Sequence, residues 1–598
     1  MDRHTYDSGI IGNGACLAHI DKSGAVIWLC WPRFDSSYLF GGLIGEGDEA
    51  GEFFVRPGAD SWESTQSYLD NTNVLTTDFT AADGAFRVTD FSPRFRQYDR
   101  YYKPLMLVRK VAPTSGMPTI RVRCRPVGDY GRLQPTVQTG SNHLRFIGVG
   151  ENTRLTTDIS LNAILESRPF VLSSPRYLVL TYGPPLEAPL AGTVEQFLEK
   201  TAAYWRNWVL QCGVGNFHQE QVIRSALVLK LHQYDDTGAI IASSTTSLPE
   251  HPGSGRNWDY RYCWMRDSYY TLAALNNVGH FEELVRYADY IQNIAATKDH
   301  GHYRPVYSVT GQTLPAEQSL DLHGYRGEQP VRVGNQASDH VQNDVYGQIL
   351  VSLLPLYTDA RFMDRNQGAS LDLVRSLLAH IEETMDQPDA GLWEFRNRSQ
   401  KYCYTYLFHW AGAHAAEKIA LRFGDRRMLE GARRLGKGAA SRIESFHDKT
   451  AGAYTQTAGS GVMDSSLLQL ITMNYLDHRS ERAHSHLMGL ERGLRTGNGL
   501  VYRYRHEDDF GKPSATFLVC AYWYIEALAC VGRLDDAIEG FEKLARYSNH
   551  LGLMSETVDD RTGAQHGNFP QTYSHVGLMN AAFRIARRLD NPDFLVRR

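Results

Sequence analysis

Over residues 1–190 apolar and polar positions alternate in short runs broken by Gly, Pro and Asp, the period of half-buried strands. Ala15–Ile20 and Ala25–Cys30 flank Asp21-Lys-Ser-Gly, and Val74–Ala81 and Ala85–Phe91 flank Ala82-Asp-Gly; both read as hairpins. Thr119–Val127, His143–Gly148 and Tyr177–Tyr182 continue the pattern. Many short strands with regular turns predict an antiparallel β-sandwich over residues 1–191. The stretch Trp31-Pro-Arg-Phe-Asp-Ser-Ser is too polar and aromatic for a plain strand and reads as a loop reaching towards another domain.

The period changes near Gly192. Thr193 to Leu210 carries Phe197, Leu198, Ala202, Trp205 and Val209 on one helical face, a linker helix within residues 192–218. From residue 219 to residue 598 the helical period dominates. Helices are predicted over Gln221–Tyr234, Ser268–Val278, Phe281–Ala296, Val345–Tyr357, Leu371–Thr384, His409–Phe423, Arg427–Phe446, Ser465–Tyr475, Ser480–Leu494, Thr516–Val531, Leu534–Tyr547 and Tyr573–Leu589. Leu275-Asn-Asn-Val-Gly-His-Phe-Glu-Glu resembles Leu528-Ala-Cys-Val-Gly-Arg-Leu-Asp-Asp: a helix end, a Gly, then an acidic first turn. Repeated helical hairpins form an open solenoid or close into a toroid. The polar, aromatic loops between these helices favour the closed toroid with one busy face.

Composition narrows the function classes. A chain of 598 residues is too long for one small core. Its 42% hydrophobic and 22% charged residues are ordinary for a globular protein. A net charge of −5 gives no reason to expect nucleic acid or an anionic membrane as partner. The eight cysteines include no CxxC pair, so no zinc or redox site is expected. The N-terminus lacks a basic segment followed by an apolar one, and no long apolar run exists, so a cytoplasmic protein is expected.

The chemistry centres on Arg256 to Gly279, RNWDYRYCWMRDSYYTLAALNNVG. Trp258, Tyr260, Tyr262 and Trp264 alternate, so an extended backbone puts their rings on one side. Asp259, Arg261, Arg266 and Asp267 stand among them, and Asp267 or Ser268 reads as the cap of the following helix. Flat rings suit the C–H face of a sugar, and fixed Arg and Asp groups suit its hydroxyls. The same residues also suit a packed core with structural ion pairs, so two further carboxylates decide. Glu394 follows Trp393 in a turn-rich segment, the setting of a general acid. Glu556 lies between an apolar run and a turn, where a loop aims it into a central pocket; Asp559 and Asp560 read as exposed loop acids.

The combination resembles glycoside hydrolase family 15, the bacterial glucoamylase-like and trehalase-like enzymes. The resemblance rests on Gly12-Asn-Gly, Trp28-Leu-Cys-Trp-Pro-Arg-Phe-Asp-Ser, Thr245-Thr-Ser-Leu-Pro-Glu, Arg256-Asn-Trp-Asp-Tyr-Arg-Tyr-Cys-Trp-Met-Arg-Asp, Gly324-Tyr-Arg-Gly, Arg332-Val-Gly-Asn, Asp344-Val-Tyr-Gly, Gly391-Leu-Trp-Glu and the Glu556–His575 segment. It implies a multidomain fold: an N-terminal antiparallel β-sandwich, a linker helix and a catalytic (α/α)6 barrel over residues 219–598. It implies Glu394 as general acid and Glu556 as general base, with Arg266 and Asp267 gripping the terminal glucose. Tyr260, Trp264 and Trp393 line that subsite by the same resemblance, and either Arg503 or Arg505 supplies a further substrate-binding Arg. Where fungal glucoamylases carry a second acid after the general acid, this chain has Phe395.

The expected activity is an inverting, exo-acting hydrolysis of α-1,4-glucans or maltooligosaccharides, releasing β-glucose without metal or cofactor. A trehalase or an α-1,6-preferring glucosidase is the alternative within the family. An inverting disaccharide phosphorylase would use phosphate as nucleophile and would not need Glu556. A non-catalytic helical-repeat binding protein would not need both acids with the Arg-Asp pair. His409, His414 and His575 read as packed or hydrogen-bonded side chains rather than ligands.

Overall fold

The structure is a computed structural model that describes residues 3–297, 302–362 and 370–589. The N-terminal part holds antiparallel sheets. The largest has eight strands, in the spatial order Thr136–Thr139, His143–Ile147, Thr153–Thr157, Arg176–Thr181, Met106–Gly116, Gly84–Phe91, Leu75–Ala81, Trp62–Tyr68. A four-stranded sheet runs Ser8–Gly12, Leu17–Asp21, Val26–Cys30, Tyr38–Phe40, and a three-stranded one pairs Thr119–Arg125 with Glu52–Pro57 and Phe170–Val171. Both predicted hairpins are present.

Alternation explains how the large sheet is covered on both faces. Leu107, Val111, Leu178 and Leu180 join the main core, while Val108, Tyr177 and Val179 point the other way. That second face is covered by helix α1 (Leu190–Leu210), through Val194 and Phe197. Truncating Phe197 to Ala would cost about 3–5 kcal/mol by the usual scale for buried aromatics.

The helical part follows as α2 (Gln219–Leu231), α3 (Met265–Asn277), α4 (Glu282–Thr297), α5 (Val345–Thr358), α6 (Asp372–Thr384), α7 (Cys403–Phe423), α8 (Arg426–Glu444), α9 (Gln469–Thr472), α10 (Glu481–Leu494), α11 (Leu518–Val531), α12 (Leu534–Ala545) and α13 (Thr572–Leu589). Each predicted helix has a counterpart. The one expected over Ser465–Tyr475 shrinks to a 3-10 turn, Ser465–Leu468, and the single turn α9. The one expected from His409 starts earlier, at Cys403. Both paired helix ends contain a left-handed glycine, Gly279 and Gly532, as their resemblance requires.

Contacts pass from α3 to α5, α5 to α7, α7 to the Ser465–Leu468 turn, that turn to α11, α11 to α13, and α13 back to α3. The remaining helices lie against this ring: α2 on α13 and α3, α4 on α3 and α5, α6 and α8 on α7, α10 and α12 on α11. Burial follows position. Every residue of α11 from Leu518 to Cys530 is buried, as for a helix apolar all round. On α8 only the stripe Met428, Ala432, Leu435, Gly436, Ala439 and Ile443 is buried.

The Trp31–Ser36 segment is a loop that reaches residues of the helical half. In the Trp31–Ser36 segment, the carbonyl of Ser36 accepts from Arg261 at 2.6 Å and Asp35 accepts from the Val309 amide at 3.3 Å. Among the described residues no helix is long and apolar enough to cross a membrane.

Candidate active site

The stretch before α3 is extended and pairs with Ser243–Ser247: the Ser243 amide donates to Tyr260 O and the Ser247 amide to Trp258 O. Alternation then sends successive side chains in opposite directions. Asp259 and Arg261 point away from the site into a buried ion pair at 2.7 Å. Arg261 also donates to Ser36 O and to the Tyr130 hydroxyl, so it holds the N-terminal part. Trp258, Tyr260 and Trp264 face one cavity, open to solvent. Tyr262, expected with them, is instead packed with Val306 and Leu314, its hydroxyl accepting from the Gly334 amide. The helix also begins earlier than expected. Trp264 occupies the cap position, and Ser268 donates back to Trp264 O at 2.8 Å.

Arg266 and Asp267 therefore sit in the first turn of α3, at the floor of the cavity. Arg266 is spread over three partners: Tyr573 Oη at 2.9 Å, Gln342 Oε1 at 2.9 Å and Glu394 Oε1 at 3.2 Å. Among the described residues no side chain is seen to donate to the Asp267 carboxylate. Burial pushes its pKa up to about 7, Arg266 opposing and the Glu394 charge adding to the rise.

Glu394 is presented by a turn built on Asp389, whose carboxylate accepts from the Gly391 and Asn343 amides and the Thr405 hydroxyl. Glu394 itself has φ of 61°, a left-handed conformation costing a non-glycine residue about 1–3 kcal/mol and concentrated at functional sites. Its Oε1 accepts from Trp264 Nε1 at 2.8 Å, Arg266 at 3.2 Å and Gln342 Nε2 at 3.2 Å. All three are donor-only contacts, so Oε2 is the oxygen left to carry a proton. Trp393, beside it, is fixed by a bond from its indole to Asp464 at 2.9 Å.

Glu556 precedes the short strand Thr557–Val558 and is 2% exposed. Oε1 accepts from Tyr260 Oη at 2.7 Å; Oε2 is buried without a protein partner. Burial first, and then the charge of Glu250, push its pKa up, while the Tyr260 bond and Arg503 act in the other direction. Glu250 is itself clamped, accepting from Trp258 Nε1 at 2.8 Å and from Arg503 at 2.9 Å.

The cavity thus collects the seven residues that the resemblance assigns to the substrate site: Tyr260, Trp264, Arg266, Asp267, Trp393, Glu394 and Glu556. Of the two candidate arginines, Arg503 lines it; Arg505 is exposed and its guanidinium lies 4.5 Å from the Tyr502 ring. Glu250 and Tyr573 also line it, and Gln342 stands behind, bonded to both Arg266 and Glu394. Glu250 closes the Thr245–Glu250 motif, but a single Glu carries no sign of its partner across the chain. Asp559 corrects another expectation: it is buried, accepting from Thr562, the Arg561 amide and His251. His409 and His575 are buried and hydrogen-bonded, and His414 pairs with Glu417.

Two carboxyls consequently hang on two touching rings. Trp264 donates to Glu394, Tyr260 donates to Glu556, and the rings meet edge to face at 5.6 Å between centroids. One carboxyl has an oxygen free for a proton, the other a buried oxygen free to accept one. A pair of carboxyls so arranged can serve acid–base chemistry.

Comparison with known proteins gives the family. The model of glycosyl hydrolases family 15 matches residues 216–583, and that of a trehalase-like N-terminal domain matches residues 1–161. A trehalase of Thermoplasma acidophilum is 31% identical over 95% of this chain and 97% of its own. A trehalase of Thermoplasma volcanium is 30% identical over 97% and 93%, and one of Mycobacterium tuberculosis 30% over 97% and 88%. In fold, the chain is similar to a bacterial glucoamylase solved with acarbose, with a TM-score of 0.68 and 16% identity over 98% of this chain and 95% of that one. The chain is a glycoside hydrolase and belongs to glycosyl hydrolases family 15.

Proposed function

We propose that this protein is an inverting, exo-acting α-glucosidase and that its substrate is the α,α-1,1-linked disaccharide of glucose, trehalose. The support for acid–base hydrolysis is the pairing of Glu394 on Trp264 with Glu556 on Tyr260. The support for trehalose is the full-length similarity to proteins named trehalases, together with the N-terminal match over residues 1–161.

The terminal glucose lies over Arg266 and Asp267. Asp267 accepts from its hydroxyls, and the guanidinium of Arg266, held by three partners, cannot swing away. Glu394 Oε2 gives its proton to the bridging oxygen as the bond from that oxygen to the anomeric carbon breaks. Glu556 takes a proton from a water that attacks the same carbon from the opposite face. Both oxygens of the products are thereby balanced: the leaving sugar gains the proton of Glu394, and the attacked sugar keeps the hydroxyl of the water.

The second reading, release of glucose from α-1,4-glucans, is favoured by the fold similarity alone, and the residues gripping the first glucose are the same in both. We also read the sheets as a β-sandwich, residues 1–191, joined through residues 192–218 to an (α/α)6 barrel, residues 219–598; the closed ring of helix contacts supports the barrel. Glucose release from trehalose, maltose, isomaltose and soluble starch tests the choice. Trehalose should lead by a wide margin, and starch or maltose in that place would overturn it.

A further inference from the structure

The cavity wall beyond Glu394 is the loop Glu507–Gly511, and it is fastened more heavily than the presentation of the acid requires. Asp508 accepts from Arg256, from the Tyr504 hydroxyl and from the Phe510 amide. Asp509 is exposed to water, yet its two oxygens accept from consecutive backbone amides, Arg396 at 2.6 Å and Asn397 at 3.1 Å. Those amides lie just past the acid in sequence, so Asp509 brackets the loop to the segment that carries Glu394. Next in the chain, the Phe510 ring meets Trp258 edge to face at 5.0 Å and lies 5.2 Å from the Arg396 guanidinium. Arg396 is held from the far side by Glu317 at 3.0 Å.

Glu394 does not need this. Its carboxyl is placed by Trp264, Arg266 and Gln342, and its turn by Asp389. What the fastening does is close one end. The first glucose occupies the floor at Arg266 and Asp267, so the leaving sugar lies on the Glu394 side, and any further unit attached to it must pass Phe510 and Arg396. Charge-assisted bonds on two adjacent acids, with Arg256 also donating to the Gly511 carbonyl, resist the displacement such a unit would force. Phe395 fits the same scheme: in place of a second acid, its ring packs on Tyr402 and Tyr504 beneath the loop.

We propose that the Glu507–Gly511 loop, bracketed by Asp508 and Asp509, limits the leaving group to a single glucose unit. This rests on the reading of the site as an exo-acting α-glucosidase. The test uses the full-length protein and two substrate pairs: trehalose against trehalose bearing one more α-1,4-glucose on the leaving unit, and maltose against maltotriose. The natural protein should discriminate against the third unit by at least about tenfold in kcat/KM, the scale of one pocket contact. Asp509→Ala and Phe510→Gly should each shrink that ratio severalfold for whichever pair is turned over; Asp509 is exposed, so its variant is expected to fold. Trisaccharides cleaved as fast as disaccharides by the natural protein, or a ratio unchanged in both variants, would overturn the loop proposal alone. No turnover of either pair would remove the functional reading and this proposal together.

Discussion

Gly567 leaves room for one oxygen of Glu556. A methyl group built on its α-carbon would stand 2.7 Å from Oε2, and the residue has φ of +79°, which a side chain also disfavours. Gly567→Ala should therefore push the carboxylate off its position. We expect turnover to fall by about two orders of magnitude, the scale of misplaced general-base catalysis. Thermal unfolding should show a loss of about 1 kcal/mol or more. Native turnover in a folded Gly567→Ala protein would show that Oε2 is not the oxygen that handles the water proton.

Glu394→Gln and Glu556→Gln should each abolish most of the hydrolysis while leaving the fold intact. Acid–base steps contribute about a hundred- to ten-thousand-fold. An activated α-glucoside whose leaving group needs no proton separates the two roles. It should restore much of the rate to Glu394→Gln and none to Glu556→Gln. Equal rescue of both would contradict the division of labour.

The pH profile follows from the surroundings of Glu556. It must be ionised to work, so a raised pKa moves the acidic limb upward from the ordinary carboxylate range. Burial is the larger cause and the Glu250 charge the next; Arg503, Tyr260 and Asp267 also face the group. Glu250→Gln removes a repelling charge and frees Arg503, both of which favour the ionised form. The acidic limb of kcat/KM should shift to lower pH in that variant and stop short of the ordinary range, because burial remains. A shift to higher pH, or none, would remove Glu250 from the account.

Anomer analysis tests inversion directly. From trehalose, the attacked glucose emerges as β and the leaving glucose keeps its α configuration. Proton NMR of a fresh digest should give the two in equal amounts before mutarotation; α-glucose alone would mean retention. An inverting site requires carboxyls about 6.5–9.5 Å apart, against about 5–5.5 Å for direct attack.

Much of this could be read from the chain itself. The helices of the second half were legible because their apolar period is long and several end in a glycine. That Glu394, Glu556, Arg266 and Asp267 share one cavity was legible because each stands in a specific motif. Tyr262 was not: period-2 alternation gives the side of a strand, but the backbone turns before α3, and Val306 and Leu314 take the ring. The start of α3 was missed because Ser268 is a good cap by type, while here its hydroxyl bonds backward to Trp264 from inside the helix. Gln342 and Glu250 were invisible for a different reason. Their importance comes from partners at Arg266, Glu394 and Arg503, and one sequence does not show which distant side chains will meet.

The alternation at Asp259 and Arg261 bears on how the protein can be dissected. Those two side chains belong to the backbone segment that places Tyr260 and Trp264, yet Arg261 spends two of its donors on Ser36 and Tyr130. Cutting the chain before α2 would strip the Arg261 guanidinium of its Ser36 and Tyr130 acceptors and leave it Asp259 alone, in the segment whose rings hold both carboxyls. The helical region expressed alone should be a poor catalyst even where it is soluble, and swapping N-terminal regions between relatives should succeed only when the acceptors at Ser36 and Tyr130 are carried along.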